Sequence, residues 1–170
     1  MMAEASLHFD NNITVSGTIT FTQADANSPV VVAGTLTGLV PHSTLHGFHV
    51  HQNSMDNTLN CTAAGAHFNP YTKLHGAKND TIDHRHVGDL GNIQVDGSGS
   101  ATISLTDTII QLYNQTQSII NRTIIIHQDV DDLGLGGSPL SNTTGNAGAR
   151  LACGVIRLTS HGNILSKSIP

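Results

Sequence analysis

Ile13-Thr14-Val15-Ser16-Gly17-Thr18-Ile19-Thr20-Phe21 decides the fold class of this chain. Side chains along a strand point alternately to opposite faces, so the odd positions here build one apolar side and the even positions a polar one. The same alternation recurs in Val30 to Leu39, in Ala101-Thr102-Ile103-Ser104-Leu105, and in Ala152-Cys153-Gly154-Val155-Ile156-Arg157-Leu158. Turn-forming residues separate these runs at Ala26-Asn27-Ser28-Pro29, Asp96-Gly97-Ser98-Gly99 and Gly134 to Gly137. Thr, Val and Ile are abundant, whereas the helix former glutamate occurs once, at Glu4. Short strands with such punctuation predict an all-β antiparallel sandwich or barrel. Ile19, Phe21 and Ile103 are expected to face its core. The 170 residues fit one domain, 1–170, long enough to bury a real core.

Two stretches break the rhythm, residues 53–85 and 128–150. Both are longer than ordinary connections, and long ordered loops usually carry function. Elsewhere the composition narrows the classes. There is no run of 18 apolar residues, so no membrane partner is expected. The start, Met1-Met2-Ala3-Glu4-Ala5-Ser6, lacks a basic segment followed by an apolar one, so a cytoplasmic location is expected. Charged residues make up 11% of the chain and the formal net charge is −5, with no basic stripe to neutralise phosphates; nucleic acid is not an expected partner. Asn-x-Ser/Thr triplets are read as chance in so Asn- and Thr-rich a chain. Cys61 and Cys153 are the two cysteines. They read either as reduced thiols or as one long-range disulfide worth up to about 4–5 kcal/mol.

Histidine supplies the chemistry. In Leu45-His46-Gly47-Phe48-His49-Val50-His51 the alternation puts His49 and His51 on one strand face, with Phe48 and Val50 on the other. Two imidazoles so placed form half of a rigid nitrogen site for a transition metal. Eleven histidines occur in all. His67 lies in Gly65-Ala66-His67-Phe68-Asn69-Pro70, His75 in Lys73-Leu74-His75-Gly76, and His86 in His86-Val87-Gly88-Asp89-Leu90-Gly91. His127 ends the apolar run Ile124-Ile125-Ile126, where a charged imidazolium is expensive and a ligated imidazole is not. Asp89 can turn back toward the ion that His86 holds, completing a zinc-like shell.

His49-Val50-His51, Gly65 to Pro70, His86 to Gly91 and Gly145-Asn146-Ala147-Gly148-Ala149-Arg150-Leu151-Ala152-Cys153-Gly154-Val155 together resemble copper-zinc superoxide dismutase, in order, from about Ser16 to Leu158. The resemblance implies an eight-stranded antiparallel Greek-key barrel with two long functional loops, its strands near 4–11, 13–22, 30–39, 44–52, 86–93, 99–106, 118–127 and 152–160. It implies copper on His49, His51, His67 and His127, and zinc on His67, His75, His86 and Asp89, one ion of each per subunit, with His67 shared. Asp131 matches the carboxylate that links His49 to His75. Cys61 and Cys153 match the family's disulfide. Arg150 matches the arginine beside copper, and Thr144 the threonine opposite it. His46 matches a histidine that braces the barrel. His84 matches nothing fixed, and a slipped register would make it the rival of His86 for zinc. His8, His42 and His161 read as surface residues.

The implied activity is dismutation of superoxide to dioxygen and hydrogen peroxide, with His67, Arg150 and Thr144 at the reacting centre. The alternatives are a dismutase-like docking domain of a copper chaperone, and a copper-buffering decoy. A homodimer is expected through Val155, Ile156, Leu158 and Ile120 beside the 53–60 loop, although Arg157 and Met55 depart from the family pattern. A copper chaperone is the other expected partner. The segment Ser138 to Thr144 carries no charge where the family usually has Glu-Glu and a lysine. Arg150 is therefore expected to supply nearly all the local attraction for an anion.

Overall fold

A computed structural model describes residues 1–9, 14–39, 44–55 and 58–159. Eight strands run antiparallel: β1 (Met2–Phe9), β2 (Thr14–Gln23), β3 (Val30–Leu36), β4 (Leu45–His51), β5 (Asp89–Gln94), β6 (Ala101–Asp107), β7 (Thr123–His127) and β8 (Arg150–Val155). A two-residue β9, Arg157–Leu158, adds to β1. The order across the sheet is β5-β4-β7-β8-β1-β2-β3-β6. The chain crosses between halves after β3 and again after β6, which is the Greek-key connection. The two outer strands, β5 and β6, lie against each other, so the sheet is a nearly closed barrel.

Alternation does its expected work. Ile19, Phe21 and Ile103 are buried with Ala5, Leu7, Val32, Phe48 and Val50 in one core. Several strand ends differ from expectation by two or three residues: β1 begins at Met2 instead of 4, β3 ends at Leu36 instead of 39, and β5 begins at Asp89 instead of 86. Two larger departures have a visible cause. Residues 118–122 are not extended, because Asn121 takes a positive φ of 60° and turns the chain just before β7. The last strand is interrupted at Ile156, whose side chain points into the core. Residues 10–13, 40–43, 56–57 and 160–170, with His42 and His161, lie outside the described residues.

Strand β4 departs from a half-exposed pattern, since all residues from His46 to His51 are buried. One face packs Phe48 and Val50 into the core, and the other is roofed by the two long loops. Pairing fixes which residues share that second face: His49 lies opposite Ile125 and His51 opposite Thr123, so His127, two residues on, projects to the same side. The loops carry little regular structure beyond a 3₁₀ turn, Cys61–Ala64, and one helical turn, α1 (Ser141–Thr144).

The first loop is moored by Arg85, which is 1% exposed. Its guanidinium pairs with Asp107 at 2.7 Å and donates to the carbonyls of Lys78, His86 and Val87. Asp107 also accepts from the amides of Ile109 and Ile110. A buried pair so fully bonded is costly to break, because the surviving partner is left charged in a dry site. Arg85→Met should therefore lower stability by about 3–5 kcal/mol, read as a fall in the urea midpoint at unchanged slope. An unmoved midpoint would show that Asp107 finds another partner.

Candidate metal centre

Four imidazoles converge above β4 and β7. One ligand nitrogen from each of His49, His51, His67 and His127 lies within 4.8 Å of the others, and all four rings are buried. Each ring has its second nitrogen engaged. His49 Nε2 meets Asp131 Oδ2 at 2.8 Å, His51 Nδ1 the Gly65 carbonyl at 2.8 Å, His127 Nδ1 the Gly148 carbonyl at 3.3 Å, and His67 Nδ1 Asp89 Oδ1 at 2.9 Å. The inward nitrogens are then His49 Nδ1, His51 Nε2, His67 Nε2 and His127 Nε2. Two of these, His49 Nδ1 and His67 Nε2, are buried without a hydrogen-bond partner. The other two stand 3.2 Å apart. Orphaned buried nitrogens are costly, and a cation at their focus would satisfy them.

A second group forms on the far side of His67. Asp89 Oδ1 lies 2.9 Å from His67 Nδ1, 3.0 Å from His75 Nδ1 and 3.1 Å from His86 Nδ1, and His86 Nδ1 lies 3.3 Å from His67 Nδ1. A tetrahedron with such edges has its centre about 2 Å from each corner, the bond length zinc takes with nitrogen and oxygen. His75 Nδ1 makes no hydrogen bond despite its closeness to Asp89. His49 also falls within 4.8 Å of His67, His75 and Asp89. Its Nε2 is taken by Asp131, however, so its remaining nitrogen belongs to the first group. His67 alone offers one nitrogen to each group. Both clusters therefore fit a metal.

Asp131 ties them together. Its Oδ2 meets His49, and its Oδ1 meets His75 Nε2 at 2.7 Å and the Leu133 amide at 2.7 Å. The close approach depends on Gly145, at φ 64°, since a Cβ there would stand 1.9 Å from Asp131 Oδ1 and 2.5 Å from His75 Nε2. Asn92 clamps the same residue from β5, its amide group meeting both the Asp131 carbonyl and the Asp131 N–H.

A match to the copper/zinc superoxide dismutase (SODC) family extends over residues 15–156, most of the chain. The chain belongs to the copper/zinc superoxide dismutase family. Membership implies copper and zinc as the metals and a dismutase-type function, in agreement with the two histidine clusters.

As a family member, the chain has its remaining marked residues distributed as follows. Cys61 and Cys153 form a disulfide with Cα atoms 5.8 Å apart. It pins the first loop to β8. Arg150 donates Nη1 to the Cys61 carbonyl and Nη2 to the Gly65 carbonyl, so the guanidinium is braced beside His51. Thr144 is half-buried in α1 and its hydroxyl donates to the Leu140 carbonyl at 3.3 Å. His46 is fully buried, with Nδ1 2.8 Å from the His127 carbonyl, a bracing position. His84 is exposed against Thr81 and stands apart from both clusters. His8 corrects the sequence reading: it is half-buried against Cys153 instead of lying on the surface. Ile156, expected at a dimer face, is also corrected. Ile156 faces the core, and Met55, 3% exposed, packs against Cys61 and Cys153.

Sequence reasoning passed over Arg85, Asp107 and Asn92. None touches a metal group directly, and only the spatial pairing of distant residues reveals them. It also passed over Lys73, which lines a cavity of about 370 Å³ together with His67, His86, Asn142 and Thr143. Its ammonium pairs with Asp83 at 2.9 Å.

Burial sets the charge of the imidazoles. Desolvation, then neighbouring rings, holds His51 and His127 well below the usual histidine value, and lowers His67 to about 3. Burial would also lower His75, yet the carboxylates of Asp131 and Asp89 outweigh it and raise it to about 9. Both carboxylates are burdened by burial but held below the usual range by their histidine partners. The pH dependence of the metal-free protein follows. Below about 6.5 the unfolded chain binds protons that the three depressed imidazoles refuse, so stability falls as pH falls toward 3. His75 acts oppositely: its contribution is complete below about 6.5 and is lost as pH rises through 9. The urea midpoint of the metal-free protein should thus peak near pH 6.5 and decline on both sides. A midpoint that climbs on acidification from 6.5 to 4.5 would contradict neutral imidazoles.

Proposed function

We propose that this protein dismutes superoxide, with copper held by His49, His51, His67 and His127 and zinc by His67, His75, His86 and Asp89. The observation that carries the reading is His67, a single buried imidazole whose two nitrogens face two separate donor groups. Copper held by the first group would supply the one-electron chemistry by which one superoxide is oxidised to dioxygen and another reduced to hydrogen peroxide. His67 Nε2 is the atom placed to take up a proton and deliver it to the reduced product, while its Nδ1 stays committed on the Asp89 side. Asp131 keeps His49 and His75 in their tautomers by accepting from both Nε2–H groups, a support that orients ligating rings. Arg150, permanently charged and braced on two carbonyls, draws in and orients the anion. Thr144 faces the same approach in this proposal.

One ion of each metal per subunit is part of the proposal, as are loading by a copper chaperone and a homodimer. Leu158, 51% exposed, supports the dimer face. Arg157 beside it meets Asn121 Oδ1 at 3.0 Å, which lowers the cost of a guanidinium near an apolar contact. Sedimentation at several concentrations reads this directly, and a constant monomer mass would remove the dimer.

Dismutation and metal content measured together on the purified protein test the central reading. One copper and one zinc with rapid turnover are expected, and His67→Ala should disturb both metals at once. Copper binding without turnover would point instead to a buffering protein, and full loading in His67→Ala would end the shared-ligand reading.

Steering provides the finer test. Thr143 lines the cavity beside His67 and is uncharged, and Lys73, the cation on that wall, is offset by Asp83. Charged funnels raise association rates by about 10–10³, and salt screens them beyond roughly 8–10 Å. The rate should therefore fall only gently with ionic strength. Thr143→Lys should raise the low-salt rate, and Arg150→Ile should remove most of the remaining salt dependence. A wild-type slope that survives Arg150→Ile unchanged would assign the guidance to other residues.

A further inference from the structure

Outside the two histidine clusters, His8, Cys61 and Cys153 bring one ligand atom each within 4.8 Å of one another. The convergence is built into the sheet. His8 on β1 lies directly opposite Cys153 on β8, so their side chains share a face. His8 Nδ1 sits 2.9 Å from the Phe9 carbonyl, to which it can donate, leaving Nε2 as the lone-pair nitrogen; Cys153 Sγ lies 4.0 Å from Nδ1 and 3.8 Å from Nε2, so a turn of the ring would aim Nε2 at the sulfur. Ligand bonds of about 2.3 Å to sulfur and 2.0 Å to nitrogen put the two donors about 3.5 Å apart on a tetrahedral ion. The imidazole therefore already stands near ligand distance. Met55 packs in the same buried cluster as both cysteines, so the adjoining side chain is a thioether.

While the disulfide is intact its sulfurs are not thiolates and the group is only packing. Reduction changes the donor set to two thiols, an imidazole and a neighbouring thioether, which suits a soft cation. We propose that reduction of Cys61–Cys153 opens a third metal site, for a thiophilic ion such as Cu⁺, formed by His8 Nε2 and both sulfurs. A cellular dithiol would supply two electrons and two protons: the S–S bond breaks, two S–H bonds form, and the dithiol leaves as its own disulfide. Binding the ion then releases both thiol protons to solvent and leaves its oxidation state unchanged. The sulfurs are fully buried and His8 is half-buried, so the ion passes the imidazole to reach them. The site goes beyond the dismutase reading and is independent of it.

The test uses the protein already loaded with copper and zinc, reduced by a phosphine without oxygen and titrated with Cu⁺ against bicinchoninate. The reduced protein should hold one further Cu⁺ and the oxidised protein none. His8→Gln should weaken that uptake at least tenfold in the reduced state. Its oxidised form should keep the wild-type circular dichroism, which separates lost ligation from lost folding. Alkylating both thiols of the reduced wild-type chain should abolish the uptake without any substitution. Equal uptake by reduced and oxidised protein would overturn the proposal, as would His8→Gln binding Cu⁺ as tightly as wild type.

Discussion

The arrangement of this protein depends on one buried carboxylate. Asp131 accepts from His49, which is fixed on a barrel strand, and from His75, which belongs to a loop with almost no regular structure. Beside the contact of His75 with Asp89 on β5, that link joins the strand half of the site directly to the loop half. The carboxylate is itself over-determined: Asn92 clamps its backbone from β5, and Gly145 leaves the room it occupies. Burial makes the link stronger and makes its loss more damaging, because neither histidine could find water as a substitute partner.

The barrel and the loops divide the work by different physics. The core is held by apolar packing of Ile19, Phe21, Val32, Phe48 and their neighbours. The loops are held by polar anchors: Arg85 with Asp107, the disulfide, and the Asp89 carboxylate that gathers three imidazoles while accepting from the His86 and Gly76 amides. Strand β4 is where the two meet. Its apolar face belongs to the barrel, and its histidine face is buried only because the loops return over it.

Period-two alternation made the strands legible, and the same periodicity placed His49 and His51 together, since both follow from a local rule about where Cβ points. Family motifs supplied the rest of the donor set, and the disulfide that spacing alone left open. What stayed hidden is whatever depends on residues distant in sequence meeting in space. Arg85 reads as an ordinary surface arginine in Asp83-His84-Arg85-His86, and its burial becomes visible only with Asp107 beneath it. Asn92 looks like a turn residue beside Gly91. His8 looks exposed because its strand alternates, yet the opposing strand carries Cys153 at that very rung. Strand ends drifted by a few residues for a local reason at 118–122, where an asparagine in a left-handed conformation stops extension.

The Gly65 carbonyl has a mechanical consequence. It accepts from His51 Nδ1 and from Arg150 Nη2, so both of its lone pairs are in use. A side chain cannot replace this glycine without disturbing that acceptor, for a Cβ on Gly65, at φ 73°, would stand 2.6 Å from the Asn53 amide nitrogen. The His51 imidazole and the Arg150 guanidinium thus rest on one shared acceptor. Moving that one carbonyl removes a hydrogen bond from each, so a single loop position sets the orientation of both the imidazole and the guanidinium.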